Sequence, residues 1–82
     1  MIMRIYSIWD AKAEAFMQPF FMPNKGMAIR SVTEALRNEN STFRNYPDDF
    51  HLYEIGNYDD STGRLEAAVP IAIMCLRELM EE

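Results

Sequence analysis

The first nine residues, Met1-Ile2-Met3-Arg4-Ile5-Tyr6-Ser7-Ile8-Trp9, limit what this chain can fold into more than any other stretch. They are rich in Ile, Tyr and Trp and contain neither Gly nor Pro, so they read as a β-strand. Ile2, Arg4, Tyr6 and Ile8 fall on one side of it, and Met3, Ile5, Ser7 and Trp9 on the other. Both sides are largely apolar. Such a strand is central or covered twice, which in 82 residues calls for a helix on one face and a partner on the other. A chain this short holds one domain, residues 1–82, and buries only roughly 60–65% of its unfolded surface. Its core is therefore thin, and a homodimer is expected.

Asp10 offers a side-chain acceptor to the free amides of a short helical stretch, Ala11 to Phe16, which Pro19 ends. Asn24 is the expected N-cap of the clearest helix. There Ala28, Ile29, Val32, Ala35 and Leu36 recur at spacings of three and four, with Arg30, Glu34 and Arg37 on the wet side. The polar run Asn38 to Thr42 stops it, and Pro47, Asp48 and Asp49 form a turn. His51 to Tyr58 and Arg64 to Val69 read as two strands of a hairpin, with Gly63 supplying positive φ in the connection. Pro70 suits a first helical position, so Ile71 to Glu82 reads as a helix whose last turn frays at Glu81 and Glu82, although Ile71 to Ile73 could equally extend the hairpin. The expected class is α+β: a small antiparallel sheet of about three strands, covered by one long helix, a short helix and a C-terminal helix.

Charge is unevenly spread. Up to Pro47 the chain carries six Lys or Arg and four Asp or Glu (6 − 4 = +2), and beyond it two against nine (2 − 9 = −7), which sums to −5. A net-acidic chain does not bind nucleic acid by bulk charge. The longest run free of charge and strong polarity, Ala67 to Leu76, falls short of the ~20 residues a membrane span needs, and no apolar leader segment follows Arg4. The expectation is a soluble, intracellular, mature chain with no membrane association.

Chemistry-bearing residues are sparse. His51 is the single imidazole and Cys75 the single thiol, too few for an internal disulfide or a zinc set. Asp48, Asp49, Asp59 and Asp60 lack calcium-loop spacing and suit turns. Asn24, Lys25 and Gly26, with Arg30 beyond them, could receive an anion at a helix start, but no phosphate-loop or dinucleotide fingerprint is present and capping explains them. No metal, cofactor or enzymatic activity is expected. The first part does interleave cations with rings: Arg4 with Trp9, Lys12 near Phe16, Phe20 and Phe21, and Phe43 beside Arg44 and Tyr46. Proteins that hold single strands use this vocabulary, because every base has a face to stack. A thin core needs aromatics too, and Tyr6, Phe16, Phe20, Phe21 and Phe50 are assigned to it. Seven methionines suggest adaptable apolar surface.

The motifs Tyr6-Ser7-Ile8-Trp9-Asp10-Ala11-Lys12-Ala13-Glu14, Gln18-Pro19-Phe20-Phe21, Ala28-Ile29-Arg30-Ser31, Pro47-Asp48-Asp49-Phe50-His51-Leu52-Tyr53-Glu54-Ile55-Gly56 and Asp59 to Gly63 occur in order. Over about residues 4–66 the chain resembles the small nonstructural protein of Microviridae, tailless single-stranded DNA bacteriophages, in their gokushovirus branch. The resemblance implies an early protein of the host bacterial cytoplasm, absent from the virion and assigned to genome replication, where it favours single-stranded DNA synthesis or packaging. It implies no catalytic residues. The expected nucleic-acid contacts, weak and single-stranded, are Arg4, Lys12, Lys25, Arg30 and Arg44 with Trp9 or Phe43 stacking. The alternative is a homodimeric adaptor that binds the phage replication initiator, the procapsid or a host protein without touching DNA. A third reading has the acidic second part imitate DNA.

Overall fold

The computed structural model describes residues 1–80. β1 (Ile2–Asp10) is the centre of an antiparallel sheet, as its two apolar faces require. A turn over 11–14 sends the chain back along one edge of β1 as two short strands, β2 (Ala15–Phe16) and β3 (Phe20–Met22). α1 (Lys25–Leu36) and α2 (Thr42–Asn45) follow, then a 3₁₀ turn (Pro47–Asp49) leads into β4 (Phe50–Asp59) on the other edge of β1. β5 (Arg64–Cys75) pairs with β4 and ends in a second 3₁₀ turn (Leu76–Leu79). The strand order is β2-β1-β4-β5, with β3 also on β1.

This corrects the α+β expectation. Strands hold 45% of the residues and helices 29%, and the sheet curls as a half-barrel of four to five strands with only short helices. The short helix expected over Ala11 to Phe16 is a hairpin. Asp10 does cap, accepting from the amides of Lys12 and Ala13, but Glu14 then takes a φ of 57° and turns the chain back instead of propagating a helix. The expected C-terminal helix is strand through Cys75, because the β-branched and alanine run 71–73 pairs with Tyr53 and Glu54 before the chain can coil. Pro70 does not open a helix. It falls in the three-residue irregularity where 68–70 face Ile55, a place that asks no ladder bond of its nitrogen. Expectations for Glu81 and Glu82 lie outside the described residues. Asn24 caps α1 as its sequence indicates, through its side chain to the Met27 amide, and Gly63 takes a φ of 76° in the β4–β5 turn.

Cross-strand partners share a face, so the registers sort the side chains. Tyr6 and Ile8 on β1 lie with Phe50 and Leu52 on β4, and Ala28, Val32 and Leu36 of α1 with Leu76 close the core over them. Phe43 of α2 packs against this cluster, its ring 4.9 Å from that of Phe50. The helices thus cover one face, and the other carries Met3, Ile5, Ser7 and Trp9.

Gly56 sits where both ladders of β4 are irregular, and a Cβ there would lie 2.4 Å from the Glu66 carbonyl oxygen. The close approach of β5 leaves room for hydrogen only. Gly56→Ala is expected to lose about 2–3 kcal/mol in urea denaturation, since backbone has to move. Gly26→Ala, with 3.4 Å to its nearest neighbour in the first turn of α1, is expected to be neutral or to gain up to about 1 kcal/mol.

Arg77 grips Asp48 with two bonds, Nε to Oδ1 at 2.9 Å and Nη2 to Oδ2 at 3.0 Å, tying the two 3₁₀ turns together. These hydrogen bonds, helped by the guanidinium charge, hold the Asp48 carboxyl below its ordinary 3.8. A depressed carboxylate stabilises above its unfolded pKa and stops doing so as pH falls through the folded one. The protection of the 76–79 amides relative to their intrinsic exchange is therefore expected to fall as pH drops below 3.8, and Asp48→Asn to remove that dependence.

Candidate nucleic-acid interface

The helix-free face of the sheet is an aromatic surface, and strand alternation builds it. On β1, Trp9 lies beside Phe16 of β2 on one flank and His51 of β4 on the other. Ser7 lies beside Tyr53, Ile5 beside Phe21 and Gly56, and Met3 beside Tyr58. The rings form two groups. Phe16 meets Trp9 at 5.0 Å and 61° and Tyr53 at 5.2 Å and 89°, while Phe21 meets Tyr58 at 5.4 Å and 73°. Between the groups the floor is low, made of Ile5, Ser7 and Gly56, all buried. Ser7 is held down by donating its hydroxyl to the Met17 carbonyl at 2.7 Å, so no polar group is left unpaired under the rings. Steep interplanar angles mean that each ring is braced by a neighbour's edge or face rather than by parallel stacking. Phe16 and Phe21 keep 41% of their surface exposed, and Trp9, Tyr53 and Tyr58 are half-buried. Rigid, partly exposed rings on an open sheet are suited to receiving flat apolar groups, nucleobases among them.

Of the cations expected to accompany such rings, two meet and the others stand apart. Arg4 points to the helix side and pairs with Glu54 at 2.9 Å. Lys25, at the start of α1, lines one pocket with Arg4. Those two come together. Lys12 is exposed in the β1–β2 turn and lines a separate pocket with Asp10, Tyr46 and Asp49. Arg30 is exposed on the outer side of α1. Arg44 donates to the Leu36 carbonyl at 3.4 Å and shares a third pocket with Arg37 and Leu79. Of the two expected stacking residues, Trp9 is on the aromatic face and Phe43 is packed on the core.

Phe16, Phe21, Tyr53 and Tyr58 complete the face, although composition assigns the first two to the core and singles out neither tyrosine. Period-two alternation carries the signal: Tyr53 is out of phase with Phe50 and Leu52 once the strand bounds are known, and Phe16 opposes Trp9 only if 11–14 is a turn. Tyr6 and Phe50 are core, and Phe20 packs against it, as their sequence context indicates.

His51 is half-buried between Trp9 and Cys75. The Cys75 Sγ lies 3.5 Å from the Pro47 carbonyl oxygen, in the contact of a weak thiol donor. Among the described residues no three His, Cys, Asp or Glu side chains gather to hold a metal ion, and no helix is long and apolar enough to cross a membrane.

Fold and surface together define a small antiparallel-sheet protein with a helical layer on one face and rings on the other. The chain belongs to the phage ORF5 protein family, whose model matches residues 3–79. It is a phage protein. No curated protein and no solved structure matches it.

The split between core rings and surface rings can be measured. Phe43→Ala is expected to cost about 2–4 kcal/mol of folding stability, and Phe16→Leu less than about 1 kcal/mol, because only the first opens a cavity beside Phe50.

Proposed function

We propose that this phage accessory protein is a nonenzymatic factor in genome replication of a Microviridae phage of the gokushovirus branch, acting in the host bacterial cytoplasm. It holds single-stranded DNA weakly and transiently by stacking bases on the aromatic face, and so favours single-strand synthesis or packaging. The observation that carries this reading is the row of five rings, Trp9, Phe16, Tyr53, Phe21 and Tyr58, presented on a sheet face that no helix covers among the described residues. Stacking is indifferent to base identity, which suits a protein that must follow a whole genome. Phosphate contacts are few, since the cations are dispersed and the net charge is −5.

Trp9 is the single tryptophan and reports directly on the face. Adding a thymidine oligonucleotide at low salt is expected to quench its fluorescence, with a log–log salt slope of only about 1–2 in magnitude. Phe16→Ala and Tyr53→Ala are each expected to weaken binding about tenfold, by the loss of one stacked base. No quenching at high micromolar protein, or unchanged binding by both variants, would sink the proposal.

A second reading, a homodimeric adaptor for replication or assembly proteins, is favoured by the outer edge of β5. There Leu65, Val69 and Ile71 are 62%, 83% and 60% exposed beside the unpaired backbone of the sheet edge. An edge of this kind accepts a strand from another chain. Val69→Lys is expected to shift sedimentation toward a monomer if this edge forms the dimer, with oligonucleotide quenching retained.

A further inference from the structure

We infer that the start of α1 is a phosphate-binding site formed by Arg4, Tyr6, Lys25 and the first helix amides. This inference rests on the single-strand reading and specifies where the backbone of the strand is held. A pocket of about 290 Å³ opens there, lined by Arg4, Tyr6, Pro23, Asn24, Lys25 and Glu54. α1 begins with no acidic residue in its own first turn, so the helix itself supplies no carboxylate to its positive dipole end. Asn24 serves the Met27 amide with its side chain and the Ala28 amide with its carbonyl. The amides of Lys25 and Gly26 are the first two of the helix and have no intrahelical acceptor. Gly26 adds no side chain to block their approach.

The observation that points independently to a ligand is Tyr6. Its side chain is fully buried, and its hydroxyl is the one buried side-chain oxygen or nitrogen among the described residues with no hydrogen-bond partner. Orphaning a buried hydroxyl is unfavourable, and Tyr→Phe would remove the penalty without changing the shape of the core. The residue nevertheless lines this pocket beside Arg4 and Glu54. A phosphate oxygen at the helix start would accept from the Lys25 ammonium, from the guanidinium nitrogens that Arg4 does not give to Glu54 and, where it displaces the side chains that bury it, from the Tyr6 hydroxyl. Glu54 opposes the anion, and the two cations outweigh it by one charge. Arg4 and Met22 are cross-strand neighbours one position from Ile5 and Phe21. The pocket and the Phe21–Tyr58 rings therefore lie at the same level on opposite faces, and a strand rounding the β3 edge can engage both.

The full-length protein is titrated with inorganic phosphate, with thymidine monophosphate, and with a thymidine oligonucleotide or its uncharged methylphosphonate counterpart. Thermal melts and Trp9 fluorescence are the readouts. Inorganic phosphate is expected to raise the melting temperature of the native protein. Tyr6→Phe is expected to melt higher without phosphate and to lose the phosphate-dependent rise, a pair of opposite effects that a merely structural tyrosine would not give. Lys25→Ala, at an exposed position, is expected to weaken phosphate about tenfold, and Glu54→Gln to tighten it. Methylphosphonate binding tighter than or equal to that of the natural oligonucleotide, or a phosphate response preserved in both Tyr6→Phe and Lys25→Ala, would overturn the site. Oligonucleotide binding that depends on Phe16 and Tyr53 but not on Lys25 would overturn it while leaving the stacking reading intact. Loss of all oligonucleotide binding with the phosphate response retained would do the reverse, assigning the pocket to free nucleotides.

Discussion

Everything in this molecule depends on the double-sided burial of β1. One side of the strand gives Tyr6 and Ile8 to a core closed by α1, and the other gives Ile5 and Ser7 to the floor beneath the rings. A chain of 82 residues lacks the material for a second helical layer. The aromatic side chains act as that layer: each covers a large area for few residues, and edge-to-face packing gives them order without a scaffold above them. Protection of the second face and presentation of rings to solvent are thus a single solution.

The helix and the turns were legible in the sequence where local chemistry alone decides them. Asn24 as N-cap, the apolar stripe of α1 and positive φ at Gly63 need no knowledge of the rest of the chain. What stayed hidden was settled by pairing across distance. Asp10 caps two amides as its side chain dictates, but whether a helix or a hairpin follows is decided by β1, which offers Trp9 as a partner for Phe16. Residues 71–75 could coil or extend, and the long β4 beside them draws them into the sheet. The same non-local choice controlled the candidate surface. Trp9 was identifiable from composition, whereas Phe16, Tyr53, Phe21 and Tyr58 join it only once the register is known.

Charge follows a similar rule. The cationic first part of the chain is cationic in sequence and dispersed in space, with Arg4 drawn to Glu54 and Arg44 to a helix-end carbonyl. The acidic second part is partly answered at its own end, where Arg77 holds Asp48. A positive stretch of sequence therefore does not become a positive surface, and of the expected cations Arg4 and Lys25 meet in one pocket.

The break in β5 has a consequence for how this protein behaves when it is abundant. A twelve-residue edge strand, exposed over its first nine residues and rich in Ala, Val, Leu and Ile, is a template on which identical chains could add indefinitely, ending in fibres. Residues 68–70 interrupt that template: the ladder to β4 slips there, and Pro70 has no N–H to offer a neighbour. An edge interrupted in this way is a poorer template for the indefinite addition of identical strands than an unbroken one.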